Sequence, residues 1–201
     1  MKNKGLSFSE AIDRATVGYG SGGIGTFSEK ILHRTIKFYF EPDEANHEVE
    51  YQGAVIDILG DQGIIEIQTR SFNKLAQKLE KFLPENNVTV VYPIIETRKI
   101  CRVDTLTGER RPPRKSPKKG RASDALLELG RIRKFIPDKN LTVVIVFVDV
   151  IETRMLAPAS ISSGALLSLI PPSTWISILI LRFIHSALSF LTFSMVSGIS
   201  F

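Results

Sequence analysis

One hairpin constrains the fold of this chain more than any other feature. The segments AVIDIL at 54–59 and GIIEIQT at 63–69 are rich in β-branched residues, and the turn Gly60-Asp61-Gln62-Gly63 joins them. A third predicted strand, HEVEYQ at 47–52, comes directly before this hairpin. Because strands this close in sequence usually pair with one another, the chain is expected to fold around a β-sheet.

One helix is predicted before these strands in the sequence and another after them. The first covers residues 26–39, and the second covers residues 71–83, where Lys74, Lys78 and Lys81 lie away from the apolar stripe. That stripe consists of Phe72, Leu75, Ala76, Leu79, Phe82 and Leu83. Pro84 ends the second helix, and the β-branched run that follows predicts a buried strand at 88–95, parallel to its neighbour. The order α-β-β-β-α-β indicates a mixed α/β fold with a central sheet between helices.

Further elements are predicted outside this core. Residues 7–16 form a short amphipathic helix, and LTVVIVFVDV at 141–150 forms another buried strand. Residues 96–121 form a basic excursion, which begins as a hairpin around Thr107-Gly108 and continues as a flexible, proline-rich and cationic segment. A helix then runs to Phe135, and its apolar set is Leu126, Leu127, Leu129 and Ile132.

Charge divides the chain into regions. Every charged residue except Arg182 lies within residues 1–154, and residues 155–201 contain no Asp, Glu, Lys, Asn or Gln. Ordinary globular sequence does not exclude charge over such a length. We therefore assign residues 1–23 to an N-terminal helix and glycine-rich loop, residues 24–154 to the α/β domain, and the remainder to an apolar tail.

The apolar tail admits two interpretations. Residues 176–199 are long enough to cross a bilayer as a helix, although Arg182 and His185 are costly near its centre. The abrupt loss of charge, with serine scattered among aliphatic residues, is also typical of out-of-frame translation after about Met155. The first interpretation predicts a membrane-associated protein, and the second predicts a truncated native domain.

The rest of the chain indicates a cytoplasmic protein. Its N-terminus contains no apolar segment of signal-peptide length. Cys101 is the single cysteine, so the monomer contains no internal disulfide and a reducing compartment is expected. The net charge of +5 allows an acidic partner such as nucleic acid without requiring one.

Two carboxylates of the hairpin are the strongest candidates for a functional site. Side chains alternate across a strand, so Glu66 and Gln68 share one face, and the hairpin can bring Asp57 alongside them. Carboxylates between β-branched residues are costly unless they are paired, hydrated or bound to a metal, and Mg²⁺ takes oxygen ligands of this kind. The alternative is an antiparallel sheet with one wet face, on which both carboxylates serve only solvation.

The spacing of these residues resembles the active-site strand pair of the PD-(D/E)XK nuclease superfamily. Asp57, eight residues and then Glu66-Ile67-Gln68 match its motif, and the resemblance covers residues 24–95. It implies that Asp57 and Glu66 bind Mg²⁺ or Mn²⁺. In the branch similar to Holliday-junction resolvases an acidic residue of the first helix joins the site, and Glu29 occupies that place here.

One position departs from the pattern of the superfamily. Lysine usually stands where this chain has Gln68, and a glutamine can orient a water molecule but supplies no charge. Lys74 or Arg70 is a candidate for the missing cation, and Arg70 could instead contact phosphate. The other interpretation is an inactive core that only binds nucleic acid.

The basic excursion suits a polyanionic partner. Residues 98–134 contain thirteen Lys and Arg against four Asp and Glu, and a cationic arm beside a phosphodiester site would contact the nucleic-acid backbone. A solvated loop is the alternative. Besides Arg70 and Lys74, the predicted phosphate contacts are Arg110, Arg111, Arg114, Lys115, Lys118, Lys119 and Arg121.

Taken together, these features predict a metal-dependent nuclease with nucleic acid as its partner, DNA being favoured over RNA. Asp57 and Glu66 hold the metal, Glu29 supports the metal or its water, and Gln68 positions the nucleophile. A non-catalytic nucleic-acid-binding module with the same fold is one alternative, and a membrane-tethered protein of unrelated role is the other.

Overall fold

A computed structural model describes residues 6–17, 27–104, 106–156 and 180–182. Its α-helices are α1 (Phe8–Thr16), α2 (Phe27–Phe40), α3 (Leu75–Phe82) and α4 (Ala122–Leu129). Short 3-10 helices cover Glu44–Asn46, Phe72–Lys74 and Gly130–Ile132. The strands are β1 (His47–Tyr51), β2 (Ala54–Gly60), β3 (Gly63–Ile67), β4 (Val88–Asp104), β5 (Arg110–Lys115), β6 (Leu141–Leu156) and β7 (Ile180–Arg182).

The predicted mixed α/β fold is confirmed. Strands are hydrogen-bonded in the order β1-β2-β3-β4-β6-β7, and β5 pairs with β4. The pairs β1–β2 and β2–β3 are antiparallel, whereas β3 and β4 are parallel, with Ile64 opposite Val88. The parallel pair is the one whose strands are connected through α3, as the crossover rule requires.

The chain packs as two compact units. The α1–α2 unit contains these two helices, β5, β7 and the later parts of β4 and β6. The β1–β3 unit contains those three strands, α3, α4 and the earlier parts of β4 and β6, and it carries the acidic residues of the hairpin.

Turn residues determine the two hairpins of the β1–β3 unit. Gln52 and Gly53 both have positive φ, 49° and 71°, which is the backbone of the two-residue turn that suits twisted antiparallel strands. Gly63 ends the next turn at φ 113°, and a Cβ there would lie 2.3 Å from the carbonyl oxygen of Asn87. Only glycine fits that position, since both the backbone angle and the space exclude a side chain.

The apolar stripe of α3 forms the core of the β1–β3 unit as predicted. Five of its six members are buried, and Ala76 is half-buried. They pack against both strands of the parallel pair β3–β4. The buried cluster consists of Ile56, Ile64, Phe72, Leu75, Leu79, Phe82, Leu83, Val88, Val90 and Ile132. This packing fixes the face of α3 that lies over β3.

The apolar set predicted for the helix after the basic excursion is wrong in two positions. Leu126 and Leu127 are 67% and 76% exposed, whereas Ala125 and Ile132 are buried. The sequence interpretation assumed one helix to Phe135, but α4 ends at Leu129 and a 3-10 turn follows. Ala125, Leu129 and Ile132 follow the spacing i, i+4 and i+7 on the packed face, and Leu126 and Leu127 lie off that face.

The α1–α2 unit has a smaller described core. α1 begins with a capping box, in which the backbone N–H of Glu10 donates to Ser7 Oγ at 3.2 Å and the backbone N–H of Ser7 donates to Glu10 Oε2 at 2.7 Å. Phe8 packs edge-to-face on Tyr39 of α2, with ring centroids 5.5 Å apart. The two helices therefore pack against each other.

The predicted membrane span lies largely outside the described residues. Its residues 180–182 are placed as β7, which pairs antiparallel with β6, so their backbone bonds join two strands rather than the turns of a helix. Within the described ranges, no helix combines the length and the apolar character needed to cross a bilayer. The glycine-rich loop YGSGGIG at 19–25 also lies outside the described residues.

Candidate active site

The antiparallel pair β2–β3 brings the two predicted carboxylates together. Ile58 lies opposite Ile65, and one further residue along each strand places Asp57 across from Glu66. Residues directly opposite in an antiparallel pair have neighbouring side chains. The hairpin therefore produces the acidic pair that its sequence predicts.

Asp57 is fixed where the paired section of the two strands ends. Ile58 and Ile65 are the last paired residues of β2 and β3. Past this pair, the backbone N–H of Ile67 donates a hydrogen bond to Asp57 Oδ2 at 2.8 Å. A side-chain carboxylate thus satisfies a backbone donor of β3. This bond holds Asp57 beside the strand that carries Glu66.

Glu66 is buried and paired with a lysine. Its residue is 1% exposed, and Lys78 Nζ lies 2.7 Å from Oε1 and 2.8 Å from Oε2. The same ammonium group donates to the carbonyl oxygen of Val55 on β2 at 2.7 Å. Lys78 therefore links α3 to both strands and partly neutralises the buried carboxylate.

Burial controls the protonation of Glu66. The pKa of its carboxyl is raised from 4.5 to about 7, first by loss of solvation and then by the neighbouring charge of Asp57. The hydrogen bond and charge of Lys78, with a backbone hydrogen bond from Asp57, act in the opposite direction. A carboxyl with a pKa near 7 exchanges a proton readily at neutral pH.

Lys78 is the residue that sequence reasoning missed. The ammonium group in contact with the acidic pair comes from Lys78 of α3, whereas Arg70 and Lys74, the predicted sources, are both exposed. The signal was present in the chain, because a buried carboxylate needs a cation and the helix predicted at 71–83, soon after the acidic strand, carries three lysines. Periodicity alone assigned those lysines to the solvent.

Gln68 and Glu29 are the remaining predicted members of the site. Gln68 is half-buried directly after β3, and its backbone N–H donates to the carbonyl oxygen of Val91 at 2.9 Å. This bond continues the parallel pairing with β4 and keeps Gln68 next to the acidic strand. Glu29 lies in the first turn of α2, in the α1–α2 unit, and its place in the site stays a prediction.

The predicted phosphate contacts are all exposed. Residues 110–115 form β5, whereas Lys118 and Lys119 follow it and Arg121 precedes α4. The prediction of a flexible segment is therefore wrong for 112–115. Pro112 and Pro113 fit β5 because the register with β4 shifts at this point, and strands at the edge of a sheet accept proline.

Asp57 and Glu66 present the kind of oxygen donors that a hard divalent cation such as Mg²⁺ binds. In the part of the chain that the structure describes, no group of three or more His, Cys, Asp or Glu side chains is arranged to hold a metal. Asp57 and Glu66 are a pair of oxygen donors, and Mg²⁺ is commonly bound by one or two carboxylates together with water and substrate phosphate. The pair meets that requirement.

Comparison with known proteins places the chain in a family. The sequence pattern of the family described as Domain of unknown function (DUF8091) matches residues 30–164. The chain belongs to this family. The matched residues include the acidic pair, Lys78 and all of β5.

A curated relative is similar to part of the chain. It is an uncharacterized protein of Treponema pallidum (strain Nichols), 37% identical over 126 residues. The aligned part covers 62% of this chain and 50% of the relative, so the chain spans about half the length of the relative it matches. No solved structure matches the chain.

Proposed function

We propose that this protein is a divalent-metal-dependent nuclease that hydrolyses phosphodiester bonds, with DNA favoured over RNA. The observation that carries this proposal is the buried Glu66, which is electrostatically coupled to Asp57 and held by Lys78. Strongly perturbed carboxyls with a specific charged partner are frequent at functional sites.

Each residue has a distinct role in the proposed reaction. Asp57 and Glu66 would supply oxygen ligands to Mg²⁺ or Mn²⁺, and such an ion, when bound, would polarise a phosphate and lower the pKa of a bound water. Lys78 positions Glu66 and supplies the positive charge that Gln68 lacks. Gln68 orients the attacking water.

A non-catalytic nucleic-acid-binding module is the second candidate. The observation that favours it is the contact of Lys78 with both carboxylate oxygens of Glu66, since a paired carboxylate must be released before it binds a metal. A stable internal ion pair of this kind also serves a purely structural role.

Cleavage of a supercoiled plasmid by the full chain tests the proposal. With Mg²⁺ or Mn²⁺ we expect nicked and linear products, which EDTA abolishes. Asp57→Asn and Glu66→Gln should each lower the cleavage rate by at least about 100-fold, because each removes one charged ligand of the metal. Absence of cleavage by the wild-type chain in either metal contradicts the proposal.

Glu50→Gln provides the matched control. Glu50 lies on β1 and is exposed, and the substitution makes the same chemical change as Glu66→Gln. Its cleavage rate should equal that of the wild type. If all three variants cleave at the wild-type rate, the activity comes from a contaminant or another site. If the wild type binds plasmid but leaves it intact, the binding module is supported instead.

A further inference from the structure

The hairpin of β4 and β5 exposes an unusual number of cations. All six residues of β5, including Arg110, Arg111 and Arg114, are exposed, and the strand pairs antiparallel with β4. Among the described strands, β5 is hydrogen-bonded to β4 alone. Its side chains are therefore held in strand register instead of on a flexible arm.

Strand alternation groups three arginines on one face of this hairpin. Cys101 of β4 is buried, so Ile100 and Arg102 point to the opposite face. The register places Arg114 opposite Ile100 and Arg111 opposite Arg102. Arg102, Arg111 and Arg114 thus share one face, which we call the arginine face.

Charges of the same sign lie directly opposite each other across the hairpin. Arg102 pairs with Arg111, and Lys99 pairs with Lys115. Such pairs destabilise a sheet, and a bound anion relieves the repulsion. The charge of Asp104 interacts with that of Arg111. The main cause of the lowered pKa of Asp104, however, is the pair of hydrogen bonds that its carboxylate accepts from the backbone of the adjoining turn. Within the described hairpin the arginine face therefore keeps a surplus of positive charge.

The edge of β5 is unsuited to pairing with a further strand. Pro112 and Pro113 have no backbone N–H, and the register with β4 shifts between Ile100 and Arg102. An extended peptide added to a sheet edge needs a continuous row of backbone donors and acceptors. The chemistry of this surface is consequently that of its guanidinium groups, which bind phosphate through paired N–H donors.

We infer that the arginine face binds the phosphodiester backbone of a nucleic-acid duplex, without a metal. This inference rests on the proposed function for the identity of the polyanion. It adds Arg102, which belongs to β4 and joins the surface only through the register. Because backbone phosphates carry no sequence information, the contact holds the substrate without selecting a sequence.

The salt dependence of binding tests the inference. The full chain is titrated in EDTA onto a fluorescent duplex of about 30 base pairs, from about 50 to 200 mM salt. The variant Arg102→Gln, Arg111→Gln, Arg114→Gln removes three phosphate contacts. The slope of log affinity against log salt should therefore become shallower by about 3 units.

A second triple variant controls for net charge. Lys30→Gln, Arg133→Gln, Lys139→Gln removes three exposed charges from α2 and from the segment after α4. Its slope should stay within about 1 unit of the wild type. Equal losses in both variants show a general effect of charge and overturn the inference. An unchanged slope in the arginine-face variant overturns it as well.

Two further readouts separate this inference from other outcomes. If the wild type binds vesicles of anionic phosphatidylserine but not the duplex, the surface belongs to a membrane and the inference is wrong. Duplex binding in EDTA without any cleavage in metal removes the proposed nuclease and leaves the arginine face intact. If the wild type cleaves the duplex and the arginine-face variant keeps the wild-type salt dependence of binding, the proposed nuclease stands and the arginine-face inference is wrong. Far-UV circular dichroism should show the same fold in all three proteins.

Discussion

Two pairs of antiparallel strands carry the charged residues of the two proposed sites, and they use charge in opposite ways. In β2–β3, two carboxylates lie next to each other, and Glu66 is removed from solvent and paired with Lys78. In β4–β5, a larger number of cations lies fully in solvent on β5. Like charges face each other in both pairs, and in the first pair burial and the neighbouring charge of Asp57 raise the pKa of Glu66 to about 7.

The difference shows that burial determines what a charge can do. A buried carboxylate interacts through a medium of low dielectric constant, so one neighbour changes its protonation and its affinity for a cation. An exposed guanidinium is screened by water and salt, so each contact is weak and several must act together. One pair is thus suited to chemistry and the other to holding a polyanion.

The largest effect is expected from removing the partner of the buried carboxylate. Lys78→Met should lower the free energy of unfolding by about 3 to 5 kcal/mol at about pH 8, because it leaves an unpaired charge on Glu66. At about pH 5 the carboxyl is neutral, and the loss should be smaller by about 1 kcal/mol, because pH 8 lies only about one unit above the pKa of about 7. Urea unfolding at the two pH values measures both. A loss that is equal at both pH values means that Lys78 contributes through packing alone.

The pH dependence of the unliganded wild type should be the next largest effect. The pKa of Glu66 is raised from 4.5 to about 7 in the folded chain, so the folded state binds the proton more tightly than the unfolded state. This contribution to stability is complete below about pH 4.5 and is lost as pH rises towards 7, with a total of about 3 kcal/mol. Denaturant unfolding in EDTA across this range measures it. Glu66→Gln should flatten that part of the curve, whereas Glu50→Gln should not.

A smaller effect is expected from the hydrogen bond that Asp57 accepts. Asp57→Ala leaves the backbone N–H of Ile67 without its acceptor and should cost about 1 to 3 kcal/mol. Asp57→Asn keeps an acceptor oxygen and should cost less. The stabilities of the two variants are compared by unfolding at about pH 5. Glu66 is neutral at that pH, so loss of the repelling charge of Asp57 does not stabilise it and obscure the effect of the hydrogen bond. Equal stability of the two variants would show that this bond contributes little.

The smallest effect is expected in the exposed hairpin, and its sign is reversed. Arg111→Gln removes one of two like charges that face each other, so the thermal unfolding midpoint should rise slightly at low salt. The rise should disappear at about 1 M salt, where exposed charges are screened. A decrease in the midpoint would mean that Arg111 is held by attractive contacts and would weaken the distinction between the two strand pairs.

Local patterns in the sequence predicted most of the fold. The strands β2 and β3, the turn residues between them and the apolar stripe of α3 are each contained within a few residues, and all agree with the structure. The predictions that failed depended on more distant context. Leu126 and Leu127 were assigned to the apolar set of a helix whose packed face is formed by Ala125, Leu129 and Ile132. Pro112 and Pro113 were assigned to a flexible segment but lie in β5.

The sequence by itself determined that Asp57 and Glu66 come together, since a tight hairpin fixes which residues lie opposite each other. Only the tertiary structure decided which cation completes the acidic pair, because the reach of Lys78 depends on how α3 packs over β3. It also decided that Arg102 joins two arginines of β5, through the register of strands separated by a turn. Backbone geometry transmits local patterns over a few residues, whereas contacts between elements depend on the packing of the whole unit.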